Sequence, residues 1–94
     1  MELKHEFDGR KGAFYWDDSG KRLDESTYTM AGTGKLIIDH TEVDDSLQGT
    51  GKAAQLVEAI VEHARENELK IMPLCPFARL MFDKKGAEWA DVHF

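Results

Sequence analysis

Three features of the sequence predict an α+β (mixed α/β) fold. Short β-type segments separated by glycine-bearing turns fill the first half of the chain. A helical hydrophobic period begins near Gly51, and a proline-opened helical stretch follows one more strand-like run.

Leu3 to Phe7 alternates partly and ends at the polar turn Asp8-Gly9-Arg10-Lys11-Gly12. Ala13 to Trp16 is a short aromatic run of strand type, closed by Asp17-Asp18-Ser19-Gly20. A glycine turn between two such runs predicts a hairpin or meander. Leu23 to Met30 sets Leu23, Glu25, Thr27 and Thr29 on one side against Ser26, Tyr28 and Met30 on the other. After the turn Ala31–Gly34, the run Lys35 to Val43 is rich in β-branched residues and is the clearest strand.

From Gly51 the period changes. Ala53, Leu56, Val57, Ile60, Val61 and Ala64 fall at helical spacing, opposite Glu58, Glu62 and Arg65. A helix from about Gly51 to Asn67 follows, with His63 expected on its exposed side and Asn67 suited to a left-handed cap. Lys70 to Cys75 reads as a short buried strand, in which Pro73 fits an edge or splayed position. Pro76 is placed to open a second helix through about Lys85, Gly86 to stop it, and Ala87 to Phe94 to form an extended tail. No linker or composition shift divides residues 1–94, so one compact domain is expected.

The 94 residues are 41% hydrophobic and 32% charged, an ordinary globular composition with a formal net charge of −6. That balance offers no general attraction for a polyphosphate backbone, so nucleic acid is not expected as a partner. No apolar run is long enough to span a bilayer, and Met1-Glu2-Leu3-Lys4-His5 lacks the apolar core of a signal peptide. With the lone cysteine Cys75, no intrachain disulfide forms, which fits a cytoplasmic setting. A monomer is expected.

The sequence Gly-Thr-Gly-Lys occurs twice. The first copy, Gly32 to Lys35, joins two strand-like runs and reads as a turn. The second, Gly49 to Lys52, joins a strand to an amphipathic helix. There glycines let the backbone approach a ligand, and the unpaired N–H groups of a first helical turn favour an anion. A strand-to-helix turn without a ligand is the alternative reading. A P-loop ending on Gly51-Lys52 requires glycine where Ser46 stands and a hydroxyl where Ala53 stands. The dinucleotide pattern G-x-G-x-x-G ends on Ala54 and lacks its later acidic residue. ATPase and dehydrogenase chemistry are therefore disfavoured.

What remains is Gln48-x-x-Gly51-x-Ala53. The run from Val43 to Ala53 resembles the acetyl-CoA motif of the GNAT N-acetyltransferase superfamily, [Gln/Arg]-x-x-Gly-x-[Gly/Ala]. Met81-Phe82-Asp83-Lys84-Lys85-Gly86 is similar to that family's Phe-Tyr-Glu-Lys-x-Gly stretch. His40-Thr41-Glu42-Val43 and Leu74-Cys75-Pro76-Phe77 resemble two signatures of its short single-domain subfamily. By inspection the likeness covers roughly residues 20 to 94.

The resemblance implies a mostly antiparallel sheet with a splayed strand pair, one long helix and a short C-terminal helix. It implies that acetyl-CoA is the acetyl donor and an unidentified amine, on a small molecule or a protein lysine, the acceptor. The cofactor-binding residues carried over are Val43, beside the pantetheine arm, and Gln48, Gly49, Thr50, Gly51, Lys52 and Ala53, around the pyrophosphate. Glu42 and His40 are candidate bases, because alternation sets them on one face of their strand. Their ordinary alternatives are a solvated carboxylate and a structural hydrogen bond. Cys75 is expected near the CoA thiol, either reactive or as a small buried residue. The family's thiol-protonating tyrosine falls on Phe82, which has no hydroxyl. The gap from Phe7 to Ala13 is too short for the helices that usually shape the acceptor site. A CoA-binding module with little or no transfer activity is therefore the second reading. His40-Thr41-Glu42 has the H-x-E spacing of zinc deaminases, but one cysteine cannot supply their second signature. His5, His63 and His93 are scattered, so no metal site is expected. Trp16, Trp89, Phe14 and Tyr15 read as core residues.

Overall fold

The computed structural model describes residues 1–94. Five strands lie in sequence order in one sheet: β1 (Glu2–Phe7), β2 (Lys11–Asp18), β3 (Lys21–Met30), β4 (Lys35–Glu42) and β5 (Lys70–Pro73). The first four form an antiparallel meander, and β5 adds in parallel to β4 after the helix α1 (Lys52–Glu66). The expected α+β class, the mostly antiparallel sheet and the long and short helices are all present. β2 and β3 run further into their turns than hydrophobic alternation indicates, because charged residues such as Lys11, Asp17 and Lys21 still pair across the ladder.

One face of the sheet is covered and the other is open. Leu56, Val57, Ile60, Val61 and Ala64 of α1 pack on Tyr28, Leu36, Ile38 and Ile71, with Ala78 and Phe82 of α2 (Pro76–Lys85) in the same core. Gly12 is required where it stands: a Cβ there would lie 2.3 Å from the Tyr28 ring. Trp16, Phe14 and Trp89 are core residues as expected, whereas Tyr15 is half-buried and carries the Arg22 guanidinium 3.7 Å over its ring.

Four local expectations change. His63 is half-buried, not exposed: its ring sits 5.0 Å from His5, 5.9 Å from Phe14 and 5.7 Å from Tyr28. An imidazole can serve as an aromatic surface at the end of a helical stripe, which a hydrophobicity pattern does not register. The left-handed residue after α1 is Glu68 (φ 55°), not Asn67, which has φ −107°. Leu69 N–H donates to Ala64 O and Glu68 N–H to Arg65 O, the paired bonds of a Schellman ending. Asn67 instead donates from its side chain to His63 O at 2.8 Å. The strand expected over Lys70–Cys75 stops at Pro73, and Cys75 caps α2. The tail expected to be extended begins with a 3-10 turn, Gly86–Trp89, which buries Trp89 against Phe82. It then touches the sheet by a single bridge between His93 and Ile71.

Candidate functional site

β4 and β5 part company at one point. They pair from Lys35/Lys70 to Ile38/Pro73 and no further. Proline has no N–H to continue the ladder, and Ile38 O instead accepts from Leu74 N–H at 3.3 Å and Cys75 N–H at 3.1 Å. β4 runs on to Glu42 with no strand beside it on that flank. The splay expected at Pro73 is thus present, and its cause is local.

A bulge in β4 decides which side chains line the gap. Tyr28 pairs with Ile38 but Thr27 pairs with His40, so Asp39 is the extra residue. Asp39 and His40 both turn to the open face, and Thr41 turns back toward the helices. His40 Nε2 and Glu42 Oε1 lie 3.4 Å apart on the open face, both well exposed. Thr41 Oγ1 lies 3.0 Å from Ser26 Oγ and accepts from Cys75 Sγ at 3.3 Å on the buried face. His40 and Glu42 are therefore together, while Cys75, itself buried, is separated from them by the thickness of the strand. Thr41 joins Cys75 to Ser26 on that buried side. Sequence reasoning did not single it out, because only the bulge reveals which way it points.

Beyond β4, Val43 is half-buried and leads into a 3-10 turn, Asp45–Leu47. Asp44 caps this turn by accepting from Ser46 Oγ and from Ser46 N–H, and these bonds hold its carboxyl below the usual range. Thr50 Oγ1 donates to Leu47 O at 2.6 Å. Gly49 and Gly51 take φ of 77° and 80°, left-handed values that favour glycine.

The geometry leaves donors free. Gln48 N–H and Thr50 N–H bond back to Asp45 O and Leu47 O. Lys52 N–H reaches only Thr50 Oγ1, at 3.4 Å. The N–H groups of Gly49, Gly51, Ala53 and Ala54 have no acceptor within the chain. Helix α1 has no side-chain cap and no acidic residue in its first turn. Two left-handed glycines and a bare helix start thus put several donors and the positive end of a 15-residue helix dipole at one place. That is the chemistry of a phosphate cradle.

Two residues missed from sequence brace the cradle. Trp16 Nε1 donates to Lys52 O at 2.9 Å, and Lys52 Nζ sits 4.4 Å over the Trp16 ring. Asp24, fully buried on β3, accepts Asp44 N–H on Oδ1 at 2.6 Å, while its Oδ2 has no partner. Phe82 is a core residue, in edge contact with Trp89 at 4.8 Å. No group of three or more His, Cys, Asp or Glu is arranged as a metal site. No helix is long and apolar enough to cross a membrane.

On the open face, β1 to β4 form a groove of about 550 Å³. Glu6, Asp8, Glu25 and Asp39 line it, with Lys11 as the lone cationic side chain.

Comparisons place this geometry. The family model described as GCN5-related N-acetyl-transferase matches residues 13–92. A GCN5-like protein from Staphylococcus aureus is 38% identical over 98% of this chain and 88% of its own, with a TM-score of 0.69. A ribosomal-protein-alanine N-acetyltransferase from Brucella melitensis shares the fold at 20% identity, over 85% of this chain and 64% of its own, with a TM-score of 0.68. An aminoglycoside N-acetyltransferase solved in complex with CoA shares it at 11% identity, over 84% of this chain and 69% of its own, with a TM-score of 0.61. No curated protein matches the chain. The matched family model, the splayed β4–β5 pair and the uncapped glycine loop agree: this chain belongs to the GCN5-related N-acetyltransferase family.

Proposed function

We propose that the chain binds acetyl-CoA in the loop from Val43 to Ala53 and transfers the acetyl group to an amine. The observation that carries this reading is the set of free N–H groups at Gly49, Gly51, Ala53 and Ala54, facing no internal acceptor at the start of α1. A pyrophosphate is a double anion suited to such a cradle. Lys52, held over Trp16, adds a positive charge beside it. The pantetheine arm runs past Val43 into the gap where β5 leaves β4, and brings the thioester toward Thr41 and Cys75.

In this reading an amine acceptor approaches from the open face. Its groove carries four carboxylates against Lys11 and the Arg22 guanidinium, which pairs with Glu6 and Glu25, and the acidic excess that remains suits a protonated amine. Glu42, with His40 beside it, takes the proton that the attacking amine must lose. The freed nitrogen attacks the thioester carbon, the C–S bond breaks, and the CoA thiolate leaves. Backbone N–H groups on the unpaired flank of β4 would polarise the carbonyl. Cys75, beside the arriving thioester, either takes the acetyl group on its sulfur as the CoA C–S bond breaks and CoA leaves as the thiol carrying the Cys75 proton, or simply packs against the arm.

One observation favours the second reading, a CoA-binding module with little transfer. Phe82 occupies the place of the thiol-protonating tyrosine and is buried in the core, so it offers no proton to the leaving sulfur. The assay that separates the two measures CoA thiol release over a panel of polyamines, amino acids and lysine peptides. Transferase activity predicts amine-dependent release that Glu42→Gln reduces and Gly51→Val abolishes. At Gly51 a β-branched side chain cannot hold φ of 80°, so the cradle itself is lost. Release at background with every amine, beside intact acetyl-CoA binding, would identify the binding module.

A further inference from the structure

β1 is the first strand of the sheet and is bonded on one side only, to β2. All six of its residues are exposed. Helix α1 rests mainly on β2 and β3, so Leu3 and Phe7 on the helix-facing side of β1 lie uncovered, 44% and 50% exposed, while His5 between them stacks on Phe14 and meets His63.

The hairpin fixes which backbone groups are free. Asp8 N–H donates to Lys11 O, so Asp8 and Lys11 form a hydrogen-bonded pair across the β1–β2 turn. Met30 N–H donates to Arg10 O, so the even residues of β2 bond toward β3 and the odd ones toward β1. Antiparallel bonding alternates along a strand. Glu2, Lys4 and Glu6 therefore bond inward to β2. The N–H and C=O groups of Leu3, His5 and Phe7 point to the free edge.

We propose that this edge pairs with the same edge of a second copy of the chain, antiparallel, about a two-fold axis at His5. The strand is self-complementary in that register. The three outward-bonding residues form three reciprocal pairs, His5 with His5, Leu3 with Phe7 and Phe7 with Leu3, for about six hydrogen bonds. On the helix-facing side each exposed Leu3 meets Phe7 of the other copy. On the open side each Lys4 meets Glu6 of the other copy, opposite charges directly across the pair. An axis at Lys4 would set Lys4 against itself and Glu2 against Glu6. A shift by one residue would mismatch the two faces. His5 is thus the centre that sets Lys4 against Glu6 and Leu3 against Phe7, and its one like-charged pair, Glu2 with Asp8, falls at the strand ends. The five-stranded sheet becomes continuous across two copies, and a pairing confined to one strand makes a weak, concentration-dependent dimer in place of the monomer that composition leads one to expect.

Charge reversal tests it, with mass read by sedimentation equilibrium up to millimolar chain. The native protein should rise with concentration from the monomer mass toward twice that value. Lys4→Glu and Glu6→Lys should each hold it at the monomer mass, since each sets like charges across the axis. Mixing the two single variants in equal amounts should restore the dimer, because both pairs between positions 4 and 6 are then opposite in sign. Within one chain Lys4 lies 3.0 Å from Asp17 and Glu6 lies 2.6 Å from Arg22. Loss of those internal pairs cannot be repaired by mixing, so recovery reports the intermolecular contact alone. A native mass that stays monomeric at every concentration would overturn the proposal, as would reversals that leave a dimer intact or a mixture that stays monomeric.

Discussion

Asp24 is buried without a full set of partners. Its Oδ1 takes the Asp44 N–H, and its Oδ2 meets no donor. A buried, half-satisfied carboxylate costs stability, yet this one fixes the point where β4 hands over to the loop. Replacing Asp24 by Ala removes the acceptor of Asp44 N–H and frees the loop entrance. A lost bond of this kind is worth about 1.4 kcal/mol, or about tenfold in affinity. Asp24→Ala should therefore weaken acetyl-CoA binding by about that factor in calorimetric titration, and Asp24→Asn, which keeps an oxygen for the same bond, should stay near native. Equal losses in both variants would show that charge, not the bond, matters. Such a residue was illegible in sequence: Asp24 belongs to an alternating run where acidic side chains usually face solvent, and only the fold reveals that its partner lies at Asp44.

Elements differ in how much they disclosed. Helix α1 was legible because six buried positions recur at its period, and β4 because Leu36, Ile37 and Ile38 favour strand. The end of α1 was off by one residue, since asparagine is the commoner left-handed cap and local sequence cannot weigh the Asn67 bond to His63 against it. Glu68 carries the resulting strain. A non-glycine left-handed residue costs about 1 kcal/mol relative to glycine, so Glu68→Gly should raise stability by about that amount in urea unfolding. An unchanged midpoint would place the strain elsewhere. The bulge at Asp39 was likewise invisible, because a pattern of faces assumes an unbroken alternation.

The contact between β1 and α1 sets a pH response. Burial is the main cause that holds His5 and His63 below the usual histidine range, and their mutual proximity adds to this at His5. His5 Nε2 also lies 2.6 Å from Tyr28 Oη. The unfolded chain therefore binds protons more readily than the folded one below about pH 6.5. Stability should be full above that pH and decline as pH falls through the window between the unfolded and folded values. His63→Phe should flatten the decline of melting temperature as pH is lowered from 7.5 through 6.5 and below. An equal decline in the variant would assign the effect to other groups.

At the scale of the whole molecule, the protein is a five-stranded sheet with both helices sharing one core and the opposite face bare. The bare face follows from a turn of a few residues between β1 and β2, which leaves no chain to cover it. In the function we propose, CoA binds at the splayed end of the sheet and the acceptor approaches its bare side. The left-handed glycines and the uncapped helix start between Gln48 and Ala53 were readable because local backbone builds them; the groove on the bare face was not, because it is assembled from four strands. The most direct test of the account is titration of the isotopically labelled chain with acetyl-CoA, followed by amide chemical shifts. Binding at the loop predicts the largest shifts at Gly49, Gly51, Ala53 and Ala54, with smaller ones along β4 toward Thr41 and at Cys75. Unchanged amides across that loop at millimolar ligand would contradict it.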